Sequence, residues 1–311
     1  MATKDELKKR ICESVDRRRT QIEGIGDHIM ANPELGFKEF ETAKLVTETM
    51  EEFGFTTQTG LARTGVKVTL KGKKPGPTVA LIGELDSLGV ADHPMVNPET
   101  GAAHACGHNA QIAGLMGAMM AMVDARAAEE LEGNVVFFAV PAEEYVEVGF
   151  RRDLVRAGEL SLLGGKCELI KQGHFDDIDV AMMIHTHSDA SMKKTGISSS
   201  SNGFVSKLIR FVGLAAHSGG APHLGINALN AAQIAINAIH AQRETFKDSD
   251  AIRVHPIITK GGDIVNVVPA EVTMETYVRG RTTEAILDAN AKVDRALRAG
   301  ALAVGAKVEI E

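Results

Sequence analysis

The sequence predicts a two-part protein. An α/β domain with a largely parallel sheet spans residues 1–200, and a smaller α+β domain of ferredoxin-like type spans 201–311. Three observations carry this. Three short apolar runs, Thr78–Glu84, Asn134–Val140 and Ile178–Ile184, do not alternate, as is usual for strands buried on both faces. Between the first two lies a helix, about Ala110 to Leu131, that is apolar almost all round, as a buried crossover connection would be. After Ser198-Ser-Ser-Ser-Asn-Gly203 the rhythm changes to β-α-β-β-α-β, the order of two split βαβ units.

Taken in order, residues 4–31 read as one helix, with Leu7, Ile11, Val15, Ile22, Ile25 and Ile29 near helical spacing and Asn32-Pro33-Glu34 ending it. A second helix runs from about Lys38 to Phe53 and closes at Gly54. A strand at Val66–Leu70 leads into a Lys/Gly/Pro-rich turn, Lys71–Pro77. In the second domain a strand at Phe204–Val212 precedes a helix at Asn227–Arg243 and extended segments at Ile252–Thr259 and Ile264–Val268. Glu271–Arg281 alternates, with Val272, Met274, Thr276 and Val278 on one face. A helix at Thr283–Ala303 and a strand at Lys307–Glu311 complete the order.

Of 311 residues, 44% are hydrophobic and 24% charged, an ordinary globular balance, with 12 Met and many Ala filling a core short of aromatics. The net charge of -7 argues against nucleic acid or an anionic membrane as partner. No segment approaches the roughly 18 uncharged apolar residues of a membrane span. The start, MATKDELKKRICESVDRRR, lacks the apolar core of a signal peptide, so a cytoplasmic protein is expected. Cys12, Cys106 and Cys167 are scattered and odd in number, which is no disulfide framework; Cys12 and Cys167 read as ordinary small side chains.

Each apolar run ends in ligand-type residues: Glu84-Leu-Asp86, Pro141-Ala-Glu143-Glu144 and His185-Thr-His187. In open α/β sheets the crevice at the carboxyl ends of the strands is the binding site. The stretch Gly101-Ala-Ala-His-Ala-Cys-Gly-His-Asn109 stands just before the crossover helix, near the same edge. Cys106 and His108 can turn toward one ion if Gly107, which lacks a Cβ, allows the bend. Thiolate and imidazole favour Zn, and Mn or Co also accept such a mixed set. Adjacent carboxylates can divide the work, one binding metal while its neighbour takes a proton from the attacking water. Asp86 is either a ligand or the acceptor that orients one. His187 is the alternative to His185. His104, His223 and His255 have no assigned role, and His217 sits in a Gly-rich loop.

The run HACGHN, the PAEE after a strand, the His after a third strand and AAHSGGAPHLGINALNAA together resemble the M20 family of metallo-amidohydrolases. The branch resembled contains N-acyl-amino-acid, auxin-conjugate and aminobenzoyl-glutamate hydrolases. The resemblance implies a zinc-exopeptidase-like catalytic domain followed by a ferredoxin-like lid and dimerisation domain. It implies two divalent ions, Zn or Mn with Co possible, held by Cys106, His108, Glu144 and His185. Glu143 matches the general base, and Asp86 the Asp of the preceding strand. His217 matches a lid histidine that reaches an active site across a dimer and polarises the scissile carbonyl. Asn266, in NVVP, and Arg279, in YVRGRT, match residues that hold the substrate's carboxylate. The implied reaction is hydrolysis of an N-acyl or N-aroyl amino acid by a homodimer joined through the lid.

Family members continue roughly another hundred residues past the lid, by the same resemblance, and supply one more ligand histidine there. No histidine follows His255 in this chain. Two further readings therefore stand beside the amidohydrolase: a catalytically silent or incomplete subunit acting as a dimerisation module, and a dipeptidase or exopeptidase using the same centre.

Overall fold

In the computed structural model, which describes residues 3–188, 191, 194–198 and 200–311, the chain divides into two compact units, Met1–Ser191 and Met192–Glu311. The division falls ahead of the serine-rich stretch expected to mark it, of which Ser199 lies outside the described residues.

The first unit opens on a capping box. The Thr3 hydroxyl accepts the Glu6 N–H, and the Glu6 carboxylate accepts the Thr3 N–H at 2.7 Å. The single helix expected over residues 4–31 is two, α1 (Lys4–Arg17) and α2 (Arg19–Ala31). The break is at Arg18, whose guanidinium pairs with Asp124 at 2.6 Å and lies over the Phe53 ring. Both are tertiary contacts that apolar spacing does not register. The third helix is α3 (Phe40–Glu52).

The sheet of this unit is built from β1 (Gln58–Leu61), β2 (Gly65–Lys71), β3 (Lys74–Glu84), β6 (Glu132–Val140) and β7 (Val180–Met183), in the order β1-β2-β6-β3-β7. A separate small ribbon pairs β4 (Leu88–Gly89) with β5 (Ala102–Ala103). Parallel pairing holds for β6-β3-β7, with Glu84 opposite Val140 and Ile82 opposite Met183. The β1-β2 hairpin joins β6 antiparallel, so the sheet is mixed rather than largely parallel. The physical reason is the tight connection through Ala62 and Arg63, both at positive φ, which can only link antiparallel neighbours. The first strand of that hairpin is not legible as a strand in the sequence.

Burial on both faces, expected of all three apolar runs, holds for β6, where Val136 to Val140 are fully buried. It fails for β7. Among the described residues that strand has β3 as its only neighbour, and Val180, Met182 and Met183 are exposed. The crossover helix α4 (His108–Asp124) packs Ile112, Leu115, Met116, Met119 and Met120 against Ile25 and Ile29 of α2, Val46 and Met50 of α3, and Phe137 of the sheet. Each such side chain contributes about 1.5–3 kcal/mol on burial. The other sheet face is covered by α5 (Val148–Arg156) and α6 (Gly165–Lys171), in a stretch the sequence left unassigned.

The second unit runs β8 (Gly203–Val212), α7 (Ala228–Ala241), β9 (Arg253–Val254), β10 (Ile257–Lys260), β11 (Glu271–Gly280), α8 (Thr283–Val304) and β12 (Lys307–Ile310). Its sheet, β10-β11-β8-β12 with β9 also on β11, is antiparallel throughout and ferredoxin-like in strand order. Val272, Met274, Thr276 and Val278 are all buried, as the alternation requires, with α7 and α8 packed over the apolar members of that face. Asn227 caps α7, accepting the N–H groups of Leu229 and Asn230. Ile264–Val268 is not a strand. It makes one isolated pairing, His217 with Val267, and leaves Ile264 and Val265 exposed. Among the described residues no helix is long and apolar enough to cross a membrane.

Candidate metal centre

The loop before α4 bends where expected. Gly107 has φ +100°, and a Cβ there would stand 2.2 Å from the Thr186 hydroxyl oxygen. The glycine thus serves twice, for its left-handed backbone and for close approach of the segment after β7. Thr186 donates its hydroxyl to the Cys106 carbonyl at 2.7 Å. This brings Cys106 Sγ to 3.3 Å from His185 Nε2, and the His108 and His185 rings meet edge to face at 5.4 Å. Cys106, His108 and His185 each offer a ligand atom within 4.8 Å of the others. Neither ligand trio takes His187.

The acidic strand ends close on the same histidine. His108 Nε2 lies 3.0 Å from Glu84 Oε2 and 4.0 Å from Glu143 Oε2, and these three residues form a second trio within 4.8 Å. His108 Nδ1 lies 2.8 Å from the Asp86 carbonyl oxygen. Asp86 in turn accepts the Glu144 N–H at 2.8 Å, fixing the turn that carries both glutamates. That turn is strained, with Ala142 at φ +50°. It is held from behind: fully buried Glu39 accepts the Ala142 N–H at 2.8 Å and the Thr64 hydroxyl at 2.7 Å. Buried Arg151 donates to the Ala142, Leu163 and Glu144 carbonyls.

The electrostatics follow from crowding carboxylates in a buried place. Burial opposes a charged His108, but Asp86 and Glu84 prevail and push its pKa up to about 10. Burial likewise opposes an ionised Glu84, yet His108 and Lys166 lower it to about 2. Burial, with Glu144 beside it, pushes the Cys106 thiol up to about 12. Burial, with Glu84 beside it, raises the Glu143 carboxyl above its ordinary range. Burial depresses His104 to about 4.

These residues fit a divalent cation. Glu84 Oε2 and His108 Nε2 are buried and face each other without the alignment of a hydrogen bond, and Asp86 Oδ1 is buried beside them without one. The protonated His108 ring that offsets these carboxylates stands where a positive ion could take its place. One thiol, two imidazoles and carboxylates form a Zn-type donor set. Glu144 stands against the Cys106 thiol but outside both trios. Glu84 appears in the sequence only as part of the ligand-type run Glu84-Leu-Asp86, with no role of its own; it is the last residue of β3, and Asp86 follows two residues later. Lys166, which meets Glu84 from α6, had no sequence signal at all.

Within the second unit, His217 Nδ1 accepts the N–H groups of Gly219 and Gly220 at 3.1 and 2.9 Å, which leaves Nε2 to carry the ring proton. Asn266 is brought beside it, accepting the Ser218 N–H at 2.9 Å on its carbonyl. Arg279 lies elsewhere. Asn266 precedes the start of β11 and Arg279 is near its end, so about 27 Å of strand, at about 3.4 Å per residue, separates Glu271 from Arg279.

The fold and site define an α/β unit with a Cys, His and Glu cluster able to hold a metal ion, followed by a ferredoxin-like domain. Residues 200–304 match the peptidase dimerisation domain of the M20 family. The chain is 28% identical over 286 residues to an N-acyl-L-amino acid amidohydrolase of Geobacillus stearothermophilus, covering 89% of this chain and 70% of that protein. It is 28% identical over 269 residues to an N-acetyl-L-cysteine deacetylase of Bacillus subtilis, covering 83% of this chain and 59% of that one. Its fold matches a crystal structure of a dinuclear metal-binding peptidase of the M20 family from Bacillus subtilis with TM-score 0.60 and 22% identity, covering 95% of this chain and 74% of that one. Residues 200–304 thus carry an M20-type dimerisation domain, and the relatives and fold neighbours of the chain are hydrolases of amide or peptide bonds.

Proposed function

We infer that the chain serves a metal-dependent amidohydrolase that cleaves the amide bond of N-acyl or N-aroyl amino acids. The observation that carries this reading is the convergence of three strand ends and the Cys106 loop on His108. The names of the two relatives support the substrate class.

Cys106, His108, Glu144 and His185 would hold two divalent ions, Zn before Mn or Co by donor softness. Bound ions of this kind lower the pKa of water and polarise a carbonyl. Glu143, its carboxyl raised by burial, takes the proton of the attacking water and delivers it to the departing amine. Asp86 orients His108 and the Glu143–Glu144 turn. His217, with its outward Nε2–H, is the donor to the developing oxyanion, supplied by a second copy through the dimerisation domain. Asn266 and Arg279 anchor the free carboxylate; with Asn266 ahead of β11 and Arg279 near its far end, they reach one substrate from different copies of the chain.

The test is Glu143→Gln in a hydrolysis assay on N-acetyl amino acids. Loss of a general base lowers turnover by about 10²–10⁴, with metal content retained. Near-normal, chelator-sensitive turnover in that variant would remove Glu143 as the base.

A second reading, a catalytically silent dimerisation module, is supported by the match of residues 200–304 to a dimerisation domain. Metal analysis separates the two: close to two ions per chain together with amidase activity excludes the silent subunit.

A further inference from the structure

We propose that Arg253, His255 and Arg279 form an anion subsite for a second carboxylate, so that the preferred ligand is the N-acyl derivative of an acidic amino acid. The inference rests on the reading of Arg279 as the carboxylate anchor and extends it to two residues with no role so far.

The register of the second unit places Arg253 directly opposite Arg279 across the β9-β11 pair. Val254 and Val278, the next pair along, are buried, so the two arginines share the face turned away from the helices. His255 and Tyr277 follow on that face by the two-residue period of a strand. Together Arg253, His255, Tyr277 and Arg279 line a cavity of about 360 Å³, within the size range of small-molecule sites.

Like charges directly opposite on a sheet destabilise it. Surface arginines ordinarily relieve such repulsion with nearby carboxylates, yet no carboxylate of the described residues forms an ion pair with either guanidinium. Instead both are held in place by uncharged groups. Arg253 donates to the Ile252 carbonyl at 2.8 Å. The Arg279 guanidinium lies over the Phe204 and Tyr277 rings, 5.5 and 5.3 Å from their centroids. Two fixed, uncompensated forks side by side are complementary to two carboxylates, each of which can be gripped in bidentate fashion. A single carboxylate would leave one guanidinium facing the other.

The experiment is calorimetric binding of N-acetyl-L-glutamate, N-acetyl-L-leucine and inorganic phosphate to the whole chain, wild type and variants, with circular dichroism confirming that each variant is folded. Binding does not require turnover, so failure here is distinct from failure of the amidohydrolase reading, which the Glu143→Gln assay addresses. N-acetyl-glutamate is expected to bind about tenfold more tightly than N-acetyl-leucine. Arg253→Gln should erase that preference, His255→Gln should reduce it, and Arg279→Gln should weaken both ligands. Equal binding of the two ligands by the wild type, or a preference that survives Arg253→Gln, overturns the proposal. Phosphate competing as strongly as N-acetyl-glutamate overturns it too, in favour of an unselective anion site.

Discussion

His108 Nδ1 stands 2.8 Å from the Asp86 carbonyl oxygen and 3.3 Å from its carboxylate Oδ1. With its proton committed there, the ring presents Nε2 to Glu84 and Glu143. A backbone carbonyl and a carboxylate of one residue thus fix which ring nitrogen of another faces the acidic strand ends, the arrangement that outer partners give to metal-binding histidines.

Asp86→Ala should therefore weaken metal binding by about 10–100-fold while leaving the fold intact. The Glu144 N–H also loses its acceptor, so the acidic turn loosens as well. Competition against a chromophoric chelator measures the affinity; an unchanged value would show that His108 is oriented by other means.

Metal uptake should release protons. His108, at about 10, and Cys106, at about 12, are protonated near neutrality, and both must lose a proton to ligate. Affinity should thus rise with pH across the range of about 6.5–8, with a log–log slope approaching about two. Calorimetry in buffers of different ionisation enthalpy counts the protons. In the metal-free protein the raised His108 works the other way: its contribution to stability is full below its unfolded pKa of about 6.5 and lost as pH rises through about 10.

Gly107→Ala should abolish tight metal binding. It puts a side chain into a left-handed backbone, against the Thr186 side chain. The conflict is settled by moving Cys106 away from His185, so the loss should show in metal stoichiometry before it shows in the denaturation midpoint.

In the second unit, buried Lys207 pairs with Asp294 of α8 at 2.6 Å. Asp294→Ala should cost about 3–5 kcal/mol by stranding a buried ammonium, whereas Lys207→Met with Asp294→Leu should be near neutral. Urea unfolding of the single and double variants checks both; a loss under about 1 kcal/mol for Asp294→Ala would mean that water reaches Lys207 readily.

Gly300→Ala tests packing against propensity. Alanine favours the helix by about 1 kcal/mol, but its Cβ would lie 2.5 Å from the Ala231 carbonyl oxygen of α7. Destabilisation is the expected sign, read from the thermal midpoint.

The members of the candidate cluster that the sequence points to are close in sequence or end apolar runs: Cys106 with His108, Glu143, and His185. The residues that hold them are not. Glu39 lies 103 positions from the Ala142 N–H it accepts, and Lys166 lies 82 from Glu84. Arg253 and His255 look like any strand residues until β9 is set beside β11.

The sequence by itself determined which helix is buried and which face of β11 meets the core. Both are written in local spacing, because the period of a helix or strand assigns each side chain to a face. Only the tertiary structure decided that the first sheet is mixed, that β7 is an exposed edge, that α1 and α2 part at Arg18, and that Asn266 sits beside His217 while Arg279 lies near the far end of β11. Those outcomes depend on which segment becomes a neighbour of which. Period shows that a face is buried and is silent about what buries it.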